Sequence, residues 1–303
     1  MTEPVVPYIT EPGVYDLPAH VYHADPVVGG SLSSSGAQRL LPPSCPVKFK
    51  AWRDAGGEHR SVFDVGRAAH ALVLGIGEPF EVIDADSYTT KAARAQRDEA
   101  YAEGRTPLLS HEHEQVQAMA AALRQTPLAR ALFRPGTGRP ERTLVWRDPE
   151  TGVWRRAMLD WLPHPHPDKR LLITDYKTTA SAEPTAISKA LARYGYYQQA
   201  PWYIDGATAL DLHGGPEPAF IFVFQEKEPP YLVTVAQIDP ESIEWGRRRN
   251  RKALHIYRRC IETGVWPGYA DDEVISVGLP RWSVYEHEAA WAAGDYDTEQ
   301  DIA

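Results

Sequence analysis

The hydrophobic positions of this chain change period partway along it. From about residue 31 to 135 they recur every three or four residues, the spacing of one helix face. Ser61 to Leu74 is the clearest case: Val62, Phe63, Val65, Ala69, Leu72 and Val73 are apolar, and Gly75 is placed to end the helix. Helices are also predicted over 31–41, 87–104 and 110–133. The first opens on serines suited to N-caps and stops before Pro42-Pro43. From Arg142 onward the apolar residues bunch into short runs. Strands are predicted at Arg142–Arg147, Val153–Leu162, Leu171–Lys177, Ala219–Gln225 and Tyr231–Ile238. Asp148-Pro149-Glu150-Thr151-Gly152 joins the first two with hairpin-turn chemistry. A long helix over 185–206 interrupts the strands. Another over 239–263 follows them, with Asp239 as N-cap, Pro240 at the first helical position and Gly264 past its end. Residues 1–30, with five prolines, read as an irregular arm, and 265–303 carry little periodicity. The expected organisation is an arm over 1–30, one domain over 31–270 and a tail over 271–303. Within the domain the helical part is 31–135, the sheet core 140–240 and the closing helix 240–264. Strands set among helices predict an α/β class with a helical N-terminal part.

Composition narrows the setting. Of 303 residues, 43% are hydrophobic and 24% charged, the balance of a folded globular protein. The longest apolar runs, such as Ala219 to Phe224, fall far short of the roughly 20 residues that span a bilayer. No apolar stretch follows Met1, so secretion is not expected and a cytoplasmic location is. Cys45 and Cys260 are the only cysteines, too few for a four-cysteine iron–sulfur cluster. The formal net charge of −9 weighs against a nucleic-acid partner. Locally the balance reverses, because seven cations crowd residues 247–259. Arg247, Arg251, Lys252 and Arg258 are candidates for tracking phosphates, or else form a solvated helix face.

The sharpest chemical feature lies on two of the strands. Asp160 stands near the end of Ala157-Met158-Leu159-Asp160-Trp161-Leu162. Asp175-Tyr176-Lys177 ends the next strand. Strand side chains alternate, so Asp175 and Lys177 point to one face. If the two strands are neighbours, both carboxylates and the ammonium converge. Carboxylate oxygens are ligands that Mg²⁺ favours, and such a site can generate a nucleophile from water. Alone, an Asp-x-Lys pair is more often a surface ion pair. His111/His113 and His164/His166 are read as exposed and unliganded.

The spacing of Asp160 to an apolar strand ending in Asp175-Tyr176-Lys177, followed by Thr178-Thr179, resembles the PD-(D/E)xK nuclease motif. Tyr196-x-x-Gln199 on the following helix is similar to a Tyr-x-x-Gln group of that superfamily, with Gln198 as the alternative register. Gly66-x-x-x-His70, with Gly66 leaving room for a ligand, and Glu141 before the first strand point to the RecE-like phage exonucleases. Gly13-Val14-Tyr15, Tyr22-His23 and the serines near Ser33 extend the resemblance over about residues 10–270. It implies a restriction-endonuclease-like core with a mixed central sheet flanked by helices. It implies a metal-dependent exonuclease acting on linear double-stranded DNA, with 5′-to-3′ resection for phage recombination. The implied metals are Mg²⁺, for which Mn²⁺ can substitute, and no iron–sulfur cluster. His70, Asp160, Asp175, the Tyr176 backbone carbonyl and Glu141 would hold them. Lys177 would position water, and Tyr196 and Gln199 would orient Lys177, water or the phosphate. Arg67, three residues before His70, is a candidate for touching a DNA phosphate, or else pairs with a carboxylate. The implied partners are DNA ends, a single-strand annealing protein and further copies in a ring-like homo-oligomer, with no membrane. Within the same fold, a single-strand or flap nuclease and a non-catalytic DNA-binding or assembly module are the alternatives. Asp at position 175 rather than Glu and Met158 rather than a basic residue depart from some relatives.

Overall fold

Hydrogen bonding in the second half of the chain closes one large sheet. The structure is a computed structural model that describes residues 8–56, 64–75 and 80–296, with the side chains of Asp64 and Arg67 outside that set. The helix predicted from Ser61 is therefore described from Asp64 onward. The first elements are β1 (Gly13–Asp16), α1 (Ala19–His23), β2 (Leu32–Ser33), α2 (Ser34–Arg39), α3 (Pro46–Asp54) and α4 (Asp64–Leu74). There follow β3 (Phe80–Ile83), α5 (Lys91–Ala102), β4 (Thr106–Leu109), α6 (Ser110–Gln125) and α7 (Pro127–Leu132). The sheet core then runs through β5 (Gly138–Arg147), β6 (Trp154–Pro163) and β7 (Leu172–Thr179). It continues with α8 (Pro184–Tyr194), α9 (Tyr196–Ala209), β8 (Ala219–Glu226), β9 (Val233–Gln237) and α10 (Pro240–Thr263), and α11 (Arg281–Ala293) comes last.

The main sheet has the order β1-β5-β6-β7-β8-β9, with β2 pairing β6 beside that path. The β5–β6 hairpin is antiparallel over nearly its whole length, whereas β7 and β8 are parallel and joined by the α8–α9 crossover. β6 and β7 meet only at Trp161 and Thr174 and are apart elsewhere. Two apolar layers cover the sheet. On one face Leu159, Ile173, Phe220, Phe222 and Phe224 pack against Trp202, Ile204 and Ala207 of α9 and Leu254 and Tyr257 of α10. On the other face Trp161, Tyr176 and Val223 pack against Ala69 of α4 and Val116, Met119 and Leu123 of α6. α10 approaches α9 closely because Gly246 carries no side chain: a Cβ there would stand 1.9 Å from the Tyr197 carbonyl oxygen.

Several elements differ from the sequence expectation. The proline-rich segment 1–30 contributes β1, which pairs antiparallel with β5. Ile9, Leu17 and Val27 bury against Val145 and Trp154. Ser31–Leu41 divides into β2 and α2, with Ser33 Oγ accepting from Gly36 N. The helix expected over 110–133 breaks at Thr126 before Pro127, and the one over 185–206 breaks at Gly195, which adopts φ 69°. β3 and β4 form a separate parallel pair. They have four residues each, and Pro107 within β4 removes a strand donor.

Residues 1–266 form one unit and 267–303 a second. The second unit contains α11, which buries none of its residues, and Trp282, Tyr285 and Trp291 are exposed there. None of the helices among the described residues is long and apolar enough to cross a membrane.

Candidate active site

The two aspartates meet where β6 and β7 separate. At this end the Tyr176 N–H donates to Asp160 Oδ2 at 2.8 Å, so a side-chain carboxylate occupies the place a ladder carbonyl would take. One residue either side of Tyr176, Asp175 and Lys177 share a face, and Lys177 Nζ lies 2.6 Å from Asp175 Oδ2. Tyr176 itself turns to the opposite layer, where its hydroxyl donates to Gln225 Oε1 at 2.6 Å. Gln199, near the start of α9, donates from Nε2 to Asp175 Oδ1 at 2.7 Å. Tyr203, one turn further along α9, is buried on the same side of the helix as Gln199.

From the other layer α4 brings His70, whose Nε2 is 3.1 Å from Asp160 Oδ1 and whose Nδ1 is 3.6 Å from Glu141 Oε1. Glu141 reaches inward because its backbone is left-handed, φ 46°, between the Pro140–Trp161 and Arg142–Leu159 pairs of the hairpin. A non-glycine residue there is strained by of order 1–3 kcal/mol, a cost that clusters at functional sites. Gly66 does not leave an open space as expected. A Cβ at that position would meet Thr178 Oγ1 at 3.2 Å, so the missing side chain lets α4 press onto the end of β7.

The electrostatics follow from packing like charges in a dry place. Asp175 is 2% exposed. Burial and the neighbouring Asp160 charge raise its carboxyl to about 6, against the pull of Lys177. Burial pushes Asp160 up as well, but His70, Lys177 and the Tyr176 N–H outweigh it and hold this carboxyl below its ordinary value. Burial disfavours charge on His70 and Lys177, yet the carboxylates win and both are raised. The two aspartates are thus shifted in opposite directions, the pattern of two acids sharing one space.

This donor set fits a divalent cation. Asp160, Asp175, Glu141 and the His70 imidazole gather beside Lys177, and among the described residues the buried Asp175 Oδ2 is met by the Lys177 ammonium alone. Hard oxygen ligands with one imidazole suit Mg²⁺ or Mn²⁺. Among the described residues no three such side chains already close around one point, because His70 leans on Asp160 and Lys177 on Asp175.

Of the residues expected to carry the chemistry, the structure brings together His70, Glu141, Asp160, Asp175, the Tyr176 backbone, Lys177, Tyr196 and Gln199. Tyr196 sits with its ring centroid 5.3 Å from Lys177 Nζ. Gln198 points away and exchanges hydrogen bonds with Asn250 of α10. The α10 cations are not brought to the carboxylates. Arg247 pairs with Asp205 and Glu217, Arg251 with Asp148 and Glu150, and Arg258 with Glu262, while Lys252 is exposed. The Arg67 side chain lies outside the described residues. His111, His113, His164 and His166 join no three-ligand group among the described residues. Tyr203 was not singled out from the sequence, although its four-residue spacing from Gln199 is visible there.

The same architecture occurs in solved structures. A "Putative exonuclease" from Eubacterium rectale aligns over 84% of this chain and 92% of its own, with TM-score 0.54 and 11% identity. An alkaline exonuclease from Laribacter hongkongensis aligns over 67% of this chain and 95% of its own at 15% identity, but with a TM-score of 0.24, too low to carry an argument. No curated protein matches the chain. The model of the PDDEXK-like domain of unknown function (DUF3799) matches residues 33–274, well over half the chain, and the protein therefore belongs to this PDDEXK-like family.

Proposed function

We propose that the protein is a divalent-metal-dependent deoxyribonuclease that degrades linear double-stranded DNA from its ends. The observation that carries this reading is the convergence of Asp160, Asp175, Lys177 and Gln199 with His70 and Glu141 where β6 and β7 part. The PDDEXK-like family and fold support a nuclease.

In this reading Asp160, Asp175, His70 and Glu141 would hold the cation, with the Tyr176 carbonyl beside them. Bound there, Mg²⁺ or Mn²⁺ would polarise the phosphodiester and lower the pKa of water. The chain's own residues do the positioning. Lys177 keeps its ammonium beside Asp175, where it can orient the attacking water and balance charge on the phosphoryl oxygens. Gln199 donates to Asp175 and stops it from rotating away. The covering layers from α4 and α9 limit water, which strengthens each of these contacts.

Resection from 5′ to 3′, a role in phage recombination, a single-strand annealing partner, a ring-like homo-oligomer and a cytoplasmic location are carried into this reading by the resemblance to RecE-like exonucleases. A substrate comparison tests the exonuclease reading. Linear duplex, labelled separately at its 5′ and 3′ ends, should be degraded while covalently closed circles survive, with early loss of the 5′ label. Equal degradation of closed circles contradicts action from ends, and early loss of the 3′ label contradicts the polarity.

A further inference from the structure

The break between α8 and α9 sets two tyrosines side by side next to the site's lysine. Gly195 turns the chain there, so Tyr194, last in α8, comes against Tyr196, first in α9. Their ring centroids are 5.6 Å apart with planes 36° from parallel. The inner ring, Tyr196, packs on Phe222 and Phe224 at 5.5 and 6.0 Å, with Lys177 Nζ 5.3 Å from its centroid. The outer ring, Tyr194, is 54% exposed. Arg193 stands over the ring at 5.6 Å from its centroid, at the outer edge of cation–π range, on an exposed side chain. Arg193 and Lys189, one turn apart on α8, are exposed. Neither is drawn into an ion pair among the described residues, in contrast to the carboxylate-bound arginines of α10.

We infer that Tyr194, flanked by Arg193, is a stacking platform for an unpaired nucleobase of the strand being degraded. The inference rests on the nuclease reading above. Every base has a π face, so an exposed tyrosine adds affinity with little sequence preference. A guanidinium can cover the other face of the base or meet its phosphate. From Lys177 Nζ through Tyr196 to Tyr194 the path is at most about 11 Å, or roughly three nucleotide rises of about 3.4 Å. A base on Tyr194 therefore lies within about three nucleotides of Lys177. There it steadies the strand without touching the reacting atoms.

Fluorescence of the full-length protein with a short single-stranded oligodeoxynucleotide tests this. The oligonucleotide carries 2-aminopurine at one position at a time from its end, in Ca²⁺ in place of Mg²⁺. One position should be quenched on binding. Tyr194→Ala should abolish that quench and weaken binding about 5- to 150-fold, the range expected for one lost base–aromatic stack. Tyr194→Phe should restore both, and unchanged melting temperatures would show that the fold is intact. Wild-type quench and affinity in Tyr194→Ala, or no quenched position in the wild-type protein, would overturn the platform. Mg²⁺-dependent degradation of linear duplex is measured alongside. Degradation without a Tyr194 effect overturns the platform alone, and no degradation overturns the nuclease reading itself.

Discussion

Asp175 is the residue on which most of the site's physics turns. It is buried, it shares space with Asp160, and its two oxygens face Gln199 and Lys177 separately. Gln199→Leu removes the donor to Oδ1 and frees the carboxylate to rotate. A hydrogen bond to a charged group is worth about 1.5–3 kcal/mol, so single-turnover cleavage should slow by about 10- to 150-fold. Melting temperature is the control on folding. An unchanged rate in Gln199→Leu would show that Asp175 needs no such support. Asp160, Asp175 and Lys177 were legible in the sequence because they stand in two apolar runs at the spacing of a known motif, and Gln199 because it follows in Tyr196-x-x-Gln199. The choice between Gln198 and Gln199 was not, since neighbouring helix residues differ only in which element they meet. The room at Gly66 was misread for a related reason: the hydroxyl that fills it, Thr178 Oγ1, is distant in sequence.

At the scale of elements, the β5–β6 hairpin sets the register that carries Asp160. Its turn was legible in Asp148 through Gly152, and the structure shows why those residues suffice. Asp148 Oδ1 accepts from the Thr151 N–H and hydroxyl at 2.9 and 2.8 Å, and Gly152 takes φ 70°. The sequence could not reveal that Arg155 and Arg251, brought by β6 and α10, close on the same carboxylate. Burial pushes Asp148 up, but the Thr151 bonds and the two guanidiniums outweigh it and leave it below its ordinary value. A depressed folded value means stability that is present above the unfolded pKa of about 3.9 and lost as pH falls through the folded one. Asp148→Asn also leaves the buried Arg155 with Asp205 as its remaining carboxylate partner, so the cost should stay below the roughly 3 kcal/mol of a fully orphaned buried charge. Denaturant unfolding should show this deficit above about pH 5, shrinking toward zero below the depressed value. A deficit that stays constant with pH would remove the charge from the explanation. The long helix over 185–206 was misread as continuous because periodicity runs through Gly195, whereas its left-handed backbone both ends α8 and aims Tyr196 at Lys177.

For the whole molecule, the net charge of −9 is placed unevenly. Residues 267–303 hold nine acidic residues against one basic, a net −8, which leaves residues 1–266 near neutral at −1. The acidic total therefore says little about the unit that carries the site. Ending the chain at Trp266 should tighten duplex binding at low salt and leave it unchanged near 1 M salt, where screening acts within about 3 Å. Binding isotherms that coincide at low salt would contradict that assignment. The α/β class and the positions of the major strands along the chain were readable because strand and helix periods alternate clearly after residue 140. The packing of the N-terminal segment was not, because β1 is a short edge strand whose apolar partners lie far along the chain. The central claim is that these acids and Lys177 act together with a divalent cation on DNA. Its most direct test is cleavage of end-labelled linear duplex across a Mg²⁺ titration by the wild-type protein, Asp160→Ala and Lys177→Ala. The account predicts cleavage that requires the ion in the wild-type protein and falls by at least about a thousandfold in both variants. Cleavage in EDTA, or full activity in folded Lys177→Ala, would contradict it.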